Sequence, residues 1–119
     1  MSVRPVPGAV VWVNLDPTVG REQAGRRPAV IVSSVGYLEA VTELAIVVPA
    51  TTTDRGWPQH VRLTGPTLNL SRPTFAMTEQ PRTISRQRIA SASGVIDSDC
   101  LASIRRWLND FLHDDNPSQ

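Results

Sequence analysis

The apolar residues of this chain fall into short runs that end at proline, glycine, threonine or acidic residues. Runs of this length, rich in valine and isoleucine, are typical of β-strands. Pro28 opens one run, where its missing N–H is tolerated, and Pro49 within another indicates an edge, a bulge or an early end. The pattern predicts strands over Ala9–Leu15, Pro28–Ser34, Leu44–Thr51, Gln59–Leu63 and Thr74–Gln80, with one more over Ala90–Ile96.

The last segment changes to a helical period. Its apolar residues recur at spacings of three and four, which gives one apolar stripe: Leu101, Ile104, Leu108, Phe111 and Leu112. Asp97 or Ser98 can cap the start of this helix, and we expect it to fray before Pro117. Five or six short strands and a terminal helix predict a mainly β fold, a small, partly open barrel of SH3-like type.

Length and composition limit the class of protein. The 119 residues predict a single domain over 1–119, with flexible tails at 1–7 and 114–119. The longest apolar run, Leu44–Ala50, is far shorter than the roughly 20 residues of a membrane span, and no signal peptide is expected. One cysteine, Cys100, and two distant histidines favour no disulfide, no metal site and no cofactor. The sequence predicts a cytoplasmic, metal-free protein.

Charge is distributed unevenly along the chain. All twelve basic residues are arginine, and the formal net charge is +1. Residues 1–96 carry ten arginines against six acids, whereas residues 97–119 carry two against five. Because the planar guanidinium binds phosphate through paired hydrogen bonds, the basic lean of the first part is a weak signal for nucleic acid. A bias that replaces lysine by arginine throughout explains most of the missing lysine.

One glycine-bracketed loop, Gly20–Pro28, carries the densest polar cluster of the chain. It lies between two predicted strands, and loops held by a rigid scaffold are where function concentrates. A solvated hairpin and a polyanion-binding loop are both compatible with it. The side chains that could bind a polyanion are Arg21, Glu22, Gln23, Arg26 and Arg27.

Two further polar clusters follow predicted strands. The first is Thr51–Arg55, which includes Thr52, and the second is Glu79–Ile84, which includes Gln80 and Arg82 and is followed by two more arginines. If the strands close into a barrel, these clusters and the Gly20–Pro28 loop could meet on one face. The sequence alone leaves that convergence open.

A metal-free cleavage of RNA needs a proton acceptor, a proton donor and positive charge for the phosphorane. We expect His113 to be idle in a fraying helix end and His60 to be a half-exposed strand histidine rather than a groove residue. Glu22 or Glu79 could act as the base if burial raised its pKa, although Glu22 is better explained by an ion pair that shapes its loop. Trp57 is a candidate for base stacking or for packing of its loop.

The order of these motifs resembles the MazF/PemK (Kid) toxin family over nearly the whole chain, from about Gly8 to the terminal helix. The longest match runs from Gly8 to Thr18 and from Gly20 to Ser33. The run Val47–Thr52 is similar to the family's proline and threonine motif at a strand end, and Glu79–Ile84 is similar to its third signature.

The resemblance implies an SH3-like barrel with a C-terminal helix, usually a homodimer. It implies a metal-independent, sequence-specific endoribonuclease that leaves a 2′,3′-cyclic phosphate and a 5′-hydroxyl. It also implies a MazE-like antitoxin with an acidic, partly disordered segment that covers the RNA groove. By the same resemblance Arg27 and Thr51 are catalytic and Glu22 matches a functionally important loop acid, while Arg21, Gln23, Arg26, Thr52, Glu79, Gln80 and Arg82 are expected to bind RNA or to support the site.

Some positions depart from a subgroup of the family. Met77 stands where that subgroup has a catalytic arginine, Glu79 where it has aspartate, and Arg21 where it has a loop histidine. The subgroup's acid–base scheme therefore does not transfer whole, and Arg27 with Thr51 is the preferred pair. Two alternatives stay open: a CcdB-like toxin that poisons DNA gyrase through its terminal helix, and a toxin that has lost catalysis and only sequesters the antitoxin.

Overall fold

The computed structural model describes residues 4–14 and 26–114. Within them seven strands and two helices follow one another along the chain. In chain order they are β1 (Ala9–Asn14), β2 (Arg26–Ile31), α1 (Val35–Ala40), β3 (Leu44–Thr51), β4 (His60–Arg62), β5 (Phe75–Met77), β6 (Arg82–Ser85), β7 (Ile89–Val95) and α2 (Ser98–Leu112), with a 3₁₀ turn at Arg86–Arg88 before β7. The predicted tails fall largely outside the described residues.

The described strands form one antiparallel sheet in the order β4–β5–β3–β2–β1–β7, and β6 also pairs with β3. The two end strands, β4 and β7, do not pair with each other, so the sheet is open. The predicted mainly β fold, a partly open small barrel with a C-terminal helix, is confirmed, and the sheet is open rather than closed. Pro49 lies where one edge of β3 changes partner, between Val47 opposite Arg82 in β6 and Ala50 opposite Ala76 in β5.

Alternate residues of the central strands pack on opposite faces of the sheet. Val10 and Val30 belong to a cluster that includes Ile104 of α2, and Val11 belongs to another that includes Leu38 of α1. Because apolar residues cover both faces, the central strands carry continuous apolar runs rather than alternating ones. For this reason composition predicts the strands themselves but not which side chains lie on which face of the sheet.

Helix α2 begins as predicted and is anchored by polar contacts. The Asp97 carboxylate accepts a hydrogen bond from the Cys100 N–H at 2.7 Å and so caps the first turn. Further along, the Arg105 guanidinium donates to the Val32 carbonyl at 3.0 and 3.2 Å, which fixes the helix to the end of β2. Cys100 is buried, in agreement with the structural role expected of it.

The sequence pattern missed α1 and β6. Helix α1 is short and buries only its Leu38 side chain, so its residues form no apolar stripe that would predict a helix. The Arg86 guanidinium donates to the carbonyls of Leu38, Val41 and Leu44, so a residue distant in sequence holds the end of this helix. The predicted strand over 74–80 is shorter than expected because the chain turns after β5, with the Gln80 N–H donating to the Met77 carbonyl.

The residues between β4 and β5, which we call the 64–74 segment, are held against β7. The Asn69 N–H donates to the Ser93 carbonyl, and the Val95 N–H donates to Thr67 Oγ1, both at 3.0 Å. Gly94, at φ +95°, allows the close approach, because a Cβ at this position would lie 2.1 Å from the Thr67 carbonyl oxygen. The segment is therefore an ordered wall of the domain rather than a loose connection.

Replacing Gly94 by alanine is expected to lower the free energy of unfolding by at least about 3 kcal/mol. The left-handed backbone and the overlap with the Thr67 carbonyl act together at this site. Gly56→Ala is the matched control, since Gly56 has φ +72° but no neighbour within 4 Å of an added Cβ. The control is expected to cost only about 1–2 kcal/mol in urea unfolding curves. Equal costs for both variants would contradict this view of the segment.

Candidate active site

The antiparallel pairing of β2 and β3 brings two distant residues together. Ala29 lies opposite Pro49, and the same register continued by two residues along each strand places Arg27 opposite Thr51. Directly opposed residues of an antiparallel pair share one face and lie within side-chain reach of each other. The paired ladder itself ends at Ala29 and Pro49, so the continued register places Arg27 and Thr51 close together just beyond it, although 23 residues separate the two in sequence.

Arg27 and Thr51 both line a cavity of about 320 Å³. We call it the catalytic cavity after the roles that the family resemblance implies for these two residues. It lies where β2 begins and β3 ends, so it joins the described part of the Gly20–Pro28 loop to the cluster that follows β3. Arg21, Glu22 and Gln23 lie outside the described residues. The lining consists of Trp12, Arg26, Arg27, Pro28, Ala50, Thr51, Thr52, Leu70, Ser71, Arg72 and Thr74.

Three arginines give the catalytic cavity its positive character. Arg26, Arg27 and Arg72 are exposed, and none of their guanidinium groups is paired with a carboxylate among residues 4–14 and 26–114. An arginine without an acidic partner offers its full set of donors to an anionic ligand. The cavity is thus suited to a phosphate group.

The threonine pair after β3 is shaped by a local turn. The Thr53 N–H donates to Thr51 Oγ1 at 3.1 Å, which fixes the Thr51 side chain by one of its lone pairs. Within the described structure the Thr51 hydroxyl proton has no acceptor, so it can donate to a ligand in the catalytic cavity. Thr52 is exposed and lines the same cavity.

Trp12 and Arg72 are among the lining residues that sequence reasoning missed. Trp12 is half-buried in the lining and donates from Nε1 to Ser93 Oγ at 2.7 Å. Arg72 comes from the 64–74 segment and was not singled out. The dipeptide Arg72-Pro73 repeats Arg27-Pro28, but Arg4-Pro5 repeats it too, so no sequence signal singles out Arg72. Nothing in the sequence indicated the facing of Trp12.

The third polar cluster does not reach the catalytic cavity. Glu79, Gln80 and Arg82 are absent from its lining and lie on the turn between β5 and β6 and at the start of β6. That turn leaves the sheet beside the middle of β3, whereas the cavity lies at the end of β3. Among residues 26–114, therefore, the cluster after β3 and the end of the Gly20–Pro28 loop meet at this cavity, and the third cluster does not line it.

His60 was predicted to be half-exposed, and this is wrong: it is 8 % exposed. Its Nε2 lies 3.1 Å from Glu79 Oε2, and the Trp57 ring packs edge-on at 4.9 Å between centroids. Its Nδ1 is buried without a hydrogen-bond partner within the described structure. Trp57 itself is 48 % exposed, and the Arg55 guanidinium lies over its ring at 5.5 Å. The indole therefore packs against His60 on one side while part of its own surface stays in contact with solvent.

The environment of Glu79 argues against its use as a base. Partial burial raises the pKa of Glu79, but hydrogen bonds from His60, the backbone and the Gln80 side chain outweigh it. The pKa of Glu79 is therefore held below its ordinary value of 4.5, not raised toward neutrality. A general base at this position would need a raised pKa, and Glu79 has a lowered one. Its contacts indicate that it is a structural partner of His60.

Acid is expected to weaken the contribution of Glu79 to folding. Because the folded-state pKa lies below 4.5, this contribution is complete at higher pH and is lost as the pH falls through the lowered value. In unfolding curves between pH 3 and 7, the free-energy difference between wild type and Glu79→Gln should therefore shrink on acidification. The exposed acid in Glu43→Gln controls for the loss of one charge. A difference that stays constant with pH would contradict this assignment.

No helix in residues 4–14 and 26–114 is long and apolar enough to cross a membrane. In the same part of the chain, no group of three or more His, Cys, Asp and Glu side chains is placed to hold a metal ion.

Comparison with known proteins gives matches over most of the chain. Residues 7–112 match the family of PemK-like, MazF-like toxins of type II toxin–antitoxin systems. The chain is 38 % identical over 112 residues to the endoribonuclease toxin MazF of Escherichia coli, which covers 92 % of this chain and 96 % of that protein.

Solved structures agree with the sequence matches. The crystal structure of MazF from Deinococcus radiodurans superposes with a TM-score of 0.74 at 33 % identity, covering 93 % of this chain and 98 % of that one. A MazE–MazF structure from the same organism superposes with a TM-score of 0.76 at 31 % identity, covering 93 % and 97 %. The resemblance that the sequence motifs indicated is confirmed. The chain belongs to the PemK-like, MazF-like family of type II toxin–antitoxin toxins.

Proposed function

We propose that this protein is a toxin endoribonuclease that cuts single-stranded RNA in the catalytic cavity. The observation that carries the proposal is the meeting of Arg27 and Thr51 in one arginine-lined cavity. The E. coli relative is named an endoribonuclease toxin, and the similarity to it extends over 92 % of this chain. The catalytic roles of Arg27 and Thr51 are part of this proposal.

The reaction follows from what RNA itself supplies. The 2′-oxygen attacks the neighbouring phosphorus, the bond from phosphorus to the 5′-oxygen breaks, and the products are a 2′,3′-cyclic phosphate and a 5′-hydroxyl. The proton lost by the 2′-hydroxyl is balanced by the proton gained by the leaving 5′-oxygen. Arg27 stabilises the negative charge that accumulates on the phosphorane, which is where a fixed cation contributes most. Thr51 orients the 2′-hydroxyl and relays its proton.

The partner of this toxin is a MazE-like antitoxin. The Deinococcus structure is a complex of MazE with MazF, and here an acidic antitoxin segment would meet the exposed arginines of the catalytic cavity. We infer that the active form is a homodimer, as the family resemblance implies, and that the protein acts in the cytoplasm on single-stranded RNA, whether messenger, ribosomal or transfer RNA. The whole chain forms one domain in this proposal.

A cleavage assay tests this function directly. End-labelled RNA is incubated with the purified protein in the presence of EDTA and resolved on a gel, and in parallel DNA gyrase is assayed for supercoiling. Cleaved RNA with active gyrase is the expected result. Intact RNA with inhibited gyrase would instead support the CcdB-like alternative, and intact RNA with antitoxin binding would indicate a toxin without catalysis. The gyrase alternative is not favoured, because the curated MazF relative is an endoribonuclease.

A further inference from the structure

A second cavity, which we call the flanking cavity, lies beside the catalytic one. It has a volume of about 660 Å³, roughly twice that of the catalytic cavity at about 320 Å³. The two share four lining residues, Leu70, Ser71, Arg72 and Thr74. The end of the 64–74 segment therefore separates the two cavities, and the exposed Arg72 side chain lines both of them.

The wall of the flanking cavity is ordered by contacts that have no part in the catalytic cavity. The Asp97 N–H donates to the Thr64 carbonyl at 2.8 Å, and Thr64 Oγ1 donates to the Asp97 carboxylate at 2.7 Å. A Cβ on Gly65 would lie 2.5 Å from the Val95 carbonyl oxygen, so the backbone packs against β7 with no room for a side chain. A surface fixed in this way can bind a ligand without first being ordered.

Two arginines face this cavity without acidic partners. Arg62 ends β4 and Arg72 borders both cavities, and both are exposed. Neither guanidinium is paired with a carboxylate among residues 4–14 and 26–114. The nearby Asp97 carboxylate is occupied by the Thr64 hydroxyl and by the Cys100 N–H at the start of α2. The positive charge of the flanking cavity is thus available to a ligand.

An endonuclease acts within a polymer, so RNA must continue on both sides of the phosphate that is cut. We propose that the flanking cavity holds the RNA strand on one side of that phosphate, with Arg72 binding the adjacent phosphate and Arg62 a phosphate farther along. This inference rests on the proposed function and adds a binding surface that the Arg27–Thr51 pair does not include. The shared border at Arg72 favours RNA over a separate peptide ligand, because one strand can pass from cavity to cavity.

Salt dependence of binding tests the two contacts. The probe is a fluorescein-labelled single-stranded 14-mer of randomised sequence with 2′-deoxy sugars, which lacks the attacking hydroxyl and stays intact. Each phosphate contact to a single strand contributes about 0.7 to the slope of log Kd against log salt concentration. The slope should fall by about 0.7 for Arg72→Ala and by about 1.4 for Arg62→Ala with Arg72→Ala. Arg106→Ala, which removes an exposed arginine of α2 outside both cavities, should leave the slope unchanged.

Equal slopes for wild type and the double variant would overturn the inference. So would a double variant that loses affinity for a glutamate-rich 14-residue peptide but not for the oligonucleotide. Thr51→Ala separates this result from the proposed function, since it should lose RNA cleavage and keep the wild-type slope. If wild type fails to cut RNA while the slopes fall as expected, the function is wrong and the binding surface stands. If wild type cuts RNA and the slopes are equal, the binding surface alone is wrong.

Discussion

Replacing Arg27 by alanine is expected to slow the cleavage of single-stranded RNA by at least about 10³-fold. Arg27 lies across the sheet from Thr51 in the catalytic cavity and has no carboxylate partner within the described structure. Its charge acts most strongly on the phosphorane, so kcat should fall far more than KM rises. Because the side chain is exposed, the midpoint of urea unfolding should stay at the wild-type value.

Two neighbouring arginines make the effect specific. Arg26 lines the same cavity but is paired with Asn14, where β1 ends and β2 begins. Arg26→Ala should therefore mainly raise KM, by about tenfold. Arg106→Ala, on the exposed side of α2, should leave both constants unchanged. Single-turnover cleavage of labelled RNA measures all three variants. Wild-type kcat in a folded Arg27→Ala protein would contradict the assigned role.

Replacing Thr51 by valine is expected to reduce kcat by about 10²-fold or more. Valine keeps the shape of the side chain and its β-branch but removes the hydroxyl that faces the catalytic cavity. It also leaves the Thr53 N–H without its acceptor, a cost of about 1 kcal/mol that unfolding curves will register. The activity loss should exceed what this small instability explains.

The conservative variant separates chemistry from shape. Thr51→Ser retains the hydroxyl and should recover most of the activity, whereas Thr51→Val should not. Thr52→Val is the matched control, because Thr52 lines the same cavity but follows the last residue of β3 and is not opposite Arg27 in the continued register. Comparable losses in Thr51→Ser and Thr51→Val would assign Thr51 a purely steric role and contradict the proposal.

The sequence predicted the strands well because each central strand is a continuous apolar run. Val10, Val11 and Val30 are fully buried, so the composition of β1 and β2 reflects burial on both faces. It could not predict α1, whose end is held by Arg86 more than forty residues away. Nor could it show that β5 and β6 divide one edge of β3, because strand pairing depends on tertiary register.

Candidate residues from the sequence met a similar limit. Arg27 and Thr51 were selected by resemblance, and the register of β2 with β3 now explains why a strand start and a strand end form one site. Arg72 was missed because the 64–74 segment has no apolar period, and only its contacts with β7 place it beside the cavity. Glu79 was a candidate for the site because it is an acid within a polar cluster, yet its carboxylate is hydrogen-bonded to His60 Nε2 instead.

In the proposed reaction, RNA is cut by its own 2′-hydroxyl in the catalytic cavity, which Arg27 and Thr51 both line. Mapping the 5′-hydroxyl ends of RNA cut by the purified protein gives a cleavage sequence, from which two short RNAs are made. One is unmodified, and the other has a single 2′-deoxy sugar at the nucleotide whose hydroxyl would attack. In EDTA, the unmodified RNA is expected to yield a 2′,3′-cyclic phosphate and a 5′-hydroxyl while the deoxy RNA stays intact. Cleavage of the deoxy RNA at the same position, or a 5′-phosphate on the product, would overturn this mechanism.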